Sequence, residues 1–304
     1  MSERVARRQF LSAALLGTGA LAAGMAWPDR AAGIEPIRRD GKAKFKFSLA
    51  AYSYRKLLSG KEPELTLADF IRDCAALQLD GTELTSYYFP TEVTSEYLHS
   101  LSHLAFTLGL DISGTAVRND FCLPPGEQRD ENITHVKQWV DYAAAMGAPV
   151  IRIFSGNARG DQTPEQAHKL AVEGMEECCD YAGQHGVFLA LENHGGLTAT
   201  ADGLLALVRD VKSDWFGINF DSGNFHSESL YDDLARIAPY AINAQIKVVV
   251  SPVKGRNEPS DFKRLAKILT DAGYRGYVVL EYEEAEDPRQ ACRKYLDQLR
   301  EAFA

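Results

Sequence analysis

The stretch AGQHGVFLALENHGG (182–196) decides the fold. Its first residues close an amphipathic segment of helical period, and Gly186 follows where a helix should stop. Val187 to Leu191 then form a short apolar run, as in a buried strand. That run ends on a carboxylate, an amide and an imidazole (Glu192, Asn193, His194) before two glycines. A helix, a stop, a buried strand and a polar strand end form one unit, and the question is how often the unit recurs.

The same junction occurs in AAAMGAPV (143–150), around Gly147, and in LTDAGYRGYVVL (269–280), around Gly273. Short apolar runs recur through the chain at 45–52, 80–84, 110–117, 149–154, 187–192, 216–221, 241–248 and 277–282. Amphipathic segments of helical period lie between them, including 65–77, 127–146, 164–185 and 262–272. Eight strands alternating with helices in about 260 residues predict a single-domain (β/α)8 TIM barrel, an α/β fold, over residues 41–304. The alternative is an open doubly wound sheet, which usually carries a glycine-rich phosphate loop after its first strand. YSYRKLLSG (52–60) is no such loop.

Residues 1–40 read differently. Arg7 and Arg8 precede an apolar, Gly/Ala-rich run from Phe10 to Ala26, the pattern of an export signal. RRQFL (7–11) resembles the twin-arginine signal, which implies the twin-arginine export machinery as a partner and a periplasmic location. An uncleaved membrane anchor is the alternative. These residues are expected to be signal and linker. They carry a net charge of +2, so the chain's −9 leaves −11 on residues 41–304. A body so acidic, with no basic cluster in its sequence, would repel a phosphate backbone and is not expected to bind nucleic acid. The five cysteines are odd in number and contain no Cys-x-x-Cys, so buried free thiols are expected rather than a disulfide framework.

In a barrel, chemistry collects at the carboxyl ends of the strands. Those ends supply Glu83, Arg152, Glu192, His194, Asp221, Gln245, Lys247, Glu281 and Glu283. Residues two apart share a face, so Glu192 with His194, Gln245 with Lys247, and Glu281 with Glu283 should point inward together. Several carboxylates in one low-dielectric pocket raise one another's pKa, and a cation removes that cost. Glu192, Asp221, Gln245 and Glu281, from strands five to eight, make an all-oxygen set suited to one Mn²⁺ or Mg²⁺. Glu83 and Arg152 are expected to contact substrate or to pair with each other.

On LALENHGG (189–196), NFDSGNF (219–225), QIKV (245–248) and GYRGYVVLEYE (273–283), with LDGTEL (79–84) and VIRIFSG (150–156), the chain resembles the xylose isomerase-like barrel superfamily over roughly residues 45–303. In that superfamily Glu, Asp, His and Glu on strands five to eight hold one divalent ion. The resemblance therefore implies Glu192, Asp221 and Glu281 as ligands, with Gln245 standing where the His would be. A Gln there is similar to the dehydroshikimate dehydratases. Asn224 and Ser251 stand where the ketohexose epimerases carry His and Arg, so that particular activity is not implied, and Asn224 is taken as a substrate contact.

The resulting expectation is a metal-dependent isomerase or epimerase of a sugar or keto-sugar, working through an enediolate. Glu192 and Glu281 would move the proton, and Lys247 or His194 would bond the developing oxyanion. A lyase or dehydratase acting on a 3-keto-glycoside or a dehydroshikimate-like compound shares the same enolate. A non-catalytic exported sugar-binding barrel is a further alternative, and a homo-oligomer is compatible with either. A multi-zinc nuclease needs a His-rich site, and only one of the seven histidines falls at a strand end.

Overall fold

The computed structural model describes residues 33–253 and 255–304. Eight parallel strands close into a barrel in the order β1-β10-β7-β6-β5-β4-β3-β2. They are β1 (Lys44–Ala50), β2 (Gly81–Thr85), β3 (Asp111–Ala116), β4 (Val150–Ile153), β5 (Phe188–Glu192), β6 (Phe216–Asp221), β7 (Ala241–Lys247) and β10 (Arg275–Glu281). The outer helices are α1 (Arg55–Leu58), α2 (Leu67–Ala76), α3 (Ser95–Thr107), α4 (Glu127–Met146), α5 (Pro164–Gln184), α6 (Ala201–Asp210), α7 (Leu230–Ile237), α8 (Phe262–Asp271) and α9 (Pro288–Ala302). This is the (β/α)8 barrel expected from the alternation, and the doubly wound alternative is excluded by closure of β1 on β10.

Local chemistry explains where the elements begin and end. Thr66 with Asp69, and Thr163 with Gln166, form reciprocal capping boxes at the starts of α2 and α5. At the junctions after α4, α5 and α8 the glycine takes a positive φ, +76° at Gly147, +70° at Gly186 and +64° at Gly273. In each case the next residue donates its N–H to the carbonyl five positions back: Ala148 to Ala143, Val187 to Ala182 and Tyr274 to Leu269. These are Schellman closures, which need a left-handed residue and send the chain back toward the sheet.

The sequence pattern did not resolve two features. An antiparallel hairpin, β8 (Val249–Val253) with β9 (Arg256–Pro259), stands in the loop after β7. Register shifts occur between Thr82 and Glu83 against β3, and between Ile218 and Asn219 against β7. Such bulges re-aim side chains without changing the element order.

The five cysteines are free and buried, as expected, and burial pushes the thiols of Cys122, Cys178 and Cys292 up to about 12. The export-signal motif lies within residues 1–32, outside the described residues. Residues 33–40, grouped with the linker at the sequence level, run along the barrel. Ile34 donates its N–H to the Val208 carbonyl at 3.2 Å, and Ile37 to that of Pro239 at 3.0 Å. Among the described residues no helix is long and apolar enough to cross a membrane.

Candidate active site at the barrel mouth

Strand register places the charged residues side by side. Asp221 on β6 stands opposite Gln245 on β7, and Lys247 on β7 stands opposite Glu281 on β10. Glu83, Arg152, Glu192, Asp221, Gln245, Lys247 and Glu281 are all buried. With Asn224 on Glu192 and Glu283 on Lys247, the barrel gathers at one end every residue singled out as catalytic, binding or metal-ligating except His194.

The contacts fall into three linked groups. In the first, Arg152 Nε meets Glu192 Oε2 at 2.8 Å, and Asn224 Nδ2 donates to Glu192 Oε1 at 2.7 Å. Arg152 Nε makes no directional hydrogen bond there, so this contact is an ion pair. In the second, Lys247 Nζ lies 2.6 Å from Glu281 Oε2, 3.1 Å from Glu283 Oε1 and 3.5 Å from Asp221 Oδ2. The lysine stem runs over Gly223, where a Cβ would come within 2.7 Å of its Cδ, so glycine there gives Lys247 its path. The third is a buried amide network. Gln245 Nε2 and Asn243 Nδ2 donate to the two oxygens of Glu83 at 2.7 and 2.9 Å, while Asn219 Nδ2 donates to Gln245 Oε1 at 2.6 Å.

Several placements differ from expectation. Arg152 pairs with Glu192, not with Glu83, whose carboxylate is held by amides. His194 lies beyond the end of β5, exposed, with its ring 4.5 Å from that of Phe154 and outside the hydrogen-bonded cluster. The strand stops at Glu192, so the two-residue parity does not carry over to it. Glu192 still feels the imidazole's charge. Asn219 and Asn243 belong to the site as well: each lies two residues before a strand-end residue named above, so the same parity points to them. Asn193 has a structural role. Its amide accepts from Asp221 N and donates to Asp221 O, both at 2.9 Å, tying the end of β5 to β6. A buried strand thus ends in an amide because that side chain mimics a backbone partner.

Burial sets the electrostatics. It pushes the Glu83 carboxyl up to about 7, reinforced by the charge of Glu281 and opposed by the Asn243 and Gln245 amides. Glu192 is raised by burial, with Arg152 opposing. Burial is the largest influence on Glu281 and would raise it, but the charge and hydrogen bond of Lys247, the charge of Arg152 and a hydrogen bond with Asp221 together hold it low. Burial alone would lower Lys247, but the surrounding carboxylates, Asp221 first, keep it firmly charged. The ammonium cannot satisfy three carboxylates equally. Its short contact goes to Glu281, and Asp221, at 3.5 Å, is driven well above the usual carboxylate range by burial.

Asp221 Oδ2 is buried with no hydrogen-bond donor. Were all four buried carboxyls (Glu83, Glu192, Asp221, Glu281) ionised, the two buried cations (Arg152, Lys247) would leave a shortfall equal to the charge of one divalent ion, and the raised Glu83, Glu192 and Asp221 reflect that shortfall. The donor set of Glu192, Asp221, Gln245 and Glu281 is all oxygen, which suits a hard cation. Among the described residues no three His, Cys, Asp or Glu side chains already converge to coordinating distance. Arg152 and Lys247 are the cations these carboxylates meet.

A closed parallel barrel with ionisable side chains on the carboxyl ends of its strands defines a TIM-barrel protein with its candidate site in the usual mouth. Residues 71–302 match the xylose isomerase-like TIM barrel family, and the chain belongs to it. A curated relative, an inosose dehydratase of Erwinia tasmaniensis, is 29% identical over a match that covers 53% of this chain and 65% of the relative's length. Among solved structures, D-psicose 3-epimerase of Clostridium cellulolyticum H10 with D-tagatose superposes with a TM-score of 0.71 at 15% identity, covering 85% of this chain and 99% of that one. The apo form of 3-keto-D-glucoside 4-epimerase of E. coli does so with a TM-score of 0.68 at 17% identity, covering 85% and 100%. At these identities the likeness to the solved structures is one of fold.

Proposed function

We propose that the chain is a carbohydrate isomerase or epimerase that moves a proton at the carbon beside a sugar carbonyl, through an enediolate. The observation that carries this reading is the buried set of Glu192, Asp221, Gln245 and Glu281 on the ends of four consecutive barrel strands, with Asp221 Oδ2 left without a donor. The epimerases that share the fold support it.

Glu192, Asp221, Gln245 and Glu281 would hold a Mn²⁺ or Mg²⁺ ion, which supplies Lewis acidity toward a carbonyl and its neighbouring hydroxyl. Glu281 and Glu192 lie on strands that are not neighbours, so a sugar carbon between them is open to a carboxylate from either side. One takes the α-proton and the other returns a proton. Lys247, kept charged by its carboxylates, donates from Nζ to the developing oxyanion. Asn224 holds Glu192 Oε1 and Arg152 contacts Oε2, which fixes the rotamer from which that carboxylate acts. Arg7 and Arg8 would direct the protein to the twin-arginine machinery and place the reaction outside the cytoplasm.

The test is proton exchange. Metal-loaded protein, incubated in D₂O with ketohexoses and 3-keto-glucosides, should place deuterium beside the carbonyl of at least one of them. Glu281→Gln should abolish this. No exchange on any of them would sink the proposal.

The inosose dehydratase match and Gln245 favour a second reading, in which the same enolate expels a β-hydroxyl as water. An unsaturated ketone that absorbs in the ultraviolet, formed at the rate of α-proton loss, would select that reading.

A further inference from the structure

Beside the mouth lies a groove of about 640 Å³ that none of the candidate site residues lines. Its walls are aromatic: Tyr52 follows β1, Tyr87 and Tyr88 follow β2, and Trp139 comes from α4. Among the described residues no acidic side chain lines it, although residues 41–304 carry a net charge of −11. Its cations are not equivalent. Arg55 donates to the Tyr282 carbonyl at 2.9 Å, and Lys56 reaches the Glu284 and Ala285 carbonyls, so both tie the loop after β10. Arg118 is exposed, with its guanidinium carbon 5.2 Å from the centre of the Tyr87 ring. Among the described residues it has neither an anion nor a hydrogen-bond acceptor. A guanidinium stacked on an aromatic ring is pre-organised to meet a planar carboxylate with two parallel hydrogen bonds.

The groove adjoins the candidate active site through Tyr87. Tyr87 Oη lies 3.4 Å from Arg152 Nη2, and Arg152 contacts Glu192. The Tyr88 phenol feels the charge of Glu281. The volume exceeds what a single sugar ring needs and falls in the range of a larger organic ligand. Tyrosine and tryptophan faces suit the C–H-rich face of a pyranose or an aryl ring.

We propose that this groove binds the non-reacting part of the substrate, a second ring bearing a carboxylate, which Arg118 receives. The substrate class is then an acidic glycoside: the sugar with the reacting carbon enters the mouth, and its glycosidic partner, a uronic acid or an aryl carboxylic acid, lies along the tyrosines. The inference rests on the reading of the mouth as the reacting centre, but its test does not depend on turnover.

The experiment is calorimetric binding to the full chain of two acidic probes and their neutral counterparts. One pair is 4-carboxyphenyl and 4-methylphenyl β-glucoside, and the other is glucuronosyl-glucose and cellobiose. None carries a keto group, so binding is read apart from reaction. Wild-type protein should bind at least one acidic probe roughly 5- to 10-fold more tightly than its counterpart, with the preference shrinking as salt is raised. Arg118→Gln should equalise the pair, and Arg118→Lys should restore part of the preference. The pair that shows the difference tells a uronic acid from an aryl acid. Equal affinities in the wild type for both pairs, or a preference that survives in Arg118→Gln, would overturn the assignment. A preference that depends on Arg118, found in protein that exchanges no α-proton, would uphold the groove while the proposed reaction fell.

Discussion

Lys247→Met tests the electrostatic account of the mouth most directly. The substitution keeps an unbranched chain over Gly223 but deletes an ammonium that sits 2.6 Å from Glu281 Oε2 and 3.5 Å from Asp221 Oδ2. Removing one partner of a buried pair leaves uncompensated charge and costs about 3–5 kcal/mol. The lower end applies here, because Glu283 is partly exposed and Lys247 itself keeps 8% of its surface in water. For a domain of this size about 3 kcal/mol lowers Tm by roughly 6–12 °C. The assay is thermal unfolding in EDTA at neutral pH, repeated with excess Mn²⁺. In EDTA the variant should melt lower by that amount. With Mn²⁺ at about 100 times its Kd, binding should return about 2.7 kcal/mol to the folded state. The recovery should be larger than in the wild type, whose own ammonium competes with the metal for the same oxygens. A variant melting within about 2 °C of the wild type in EDTA would show that Lys247 does not neutralise the cluster, and the charge argument would fail.

Three further outcomes are expected. Asp221→Asn should reduce Mn²⁺ content measured by mass spectrometry at least tenfold and remove proton exchange, since it replaces a buried carboxylate oxygen that lacks a hydrogen-bond donor among the described residues. Glu83, raised from 4.5 to about 7, favours the folded state most below pH 4.5, and that contribution is lost as pH rises toward 7. Metal-free protein labelled with ¹³C at glutamate should therefore show one carboxyl titrating near 7 that is absent from Glu83→Gln; every glutamate titrating below 5.5 would refute the desolvation argument. Gly147→Ala should cost about 1–2 kcal/mol by placing a side chain at a φ of +76°, seen as a shifted urea midpoint with an unchanged slope.

Much of the barrel is legible from neighbours in the chain. The threonine caps, the three glycines at positive φ and the alternation of apolar runs are local signals, each acting within a few residues. The predicted span of α4 matches the helix, and the apolar run at 216–221 matches β6. Knowing the fold class then says which residues reach the mouth, because strand ends and side-chain parity are geometric consequences of a barrel. Parity misplaces His194 because it assumes a strand beyond Glu192, where the chain turns toward Gly195 at a φ of +65°. The hairpin over 249–259 reads as loop because it pairs only with itself, away from the barrel.

The amino-acid sequence by itself determined the element order, the closed parallel architecture and the identity of the ionisable groups at the strand ends. Only the tertiary structure decided their partners: Arg152 with Glu192, Lys247 with Glu281, Glu83 with two amides, and Asp221 Oδ2 with the Lys247 ammonium only at 3.5 Å. It also brought Tyr52, Tyr87, Tyr88 and Trp139 to one groove beside Arg118, which meets no anion among the described residues. The physical reason is range. Propensity, capping and periodicity act within a turn or two of chain. The pairings depend on register between strands, set by bulges at Glu83 and Asn219 and by packing across the whole barrel.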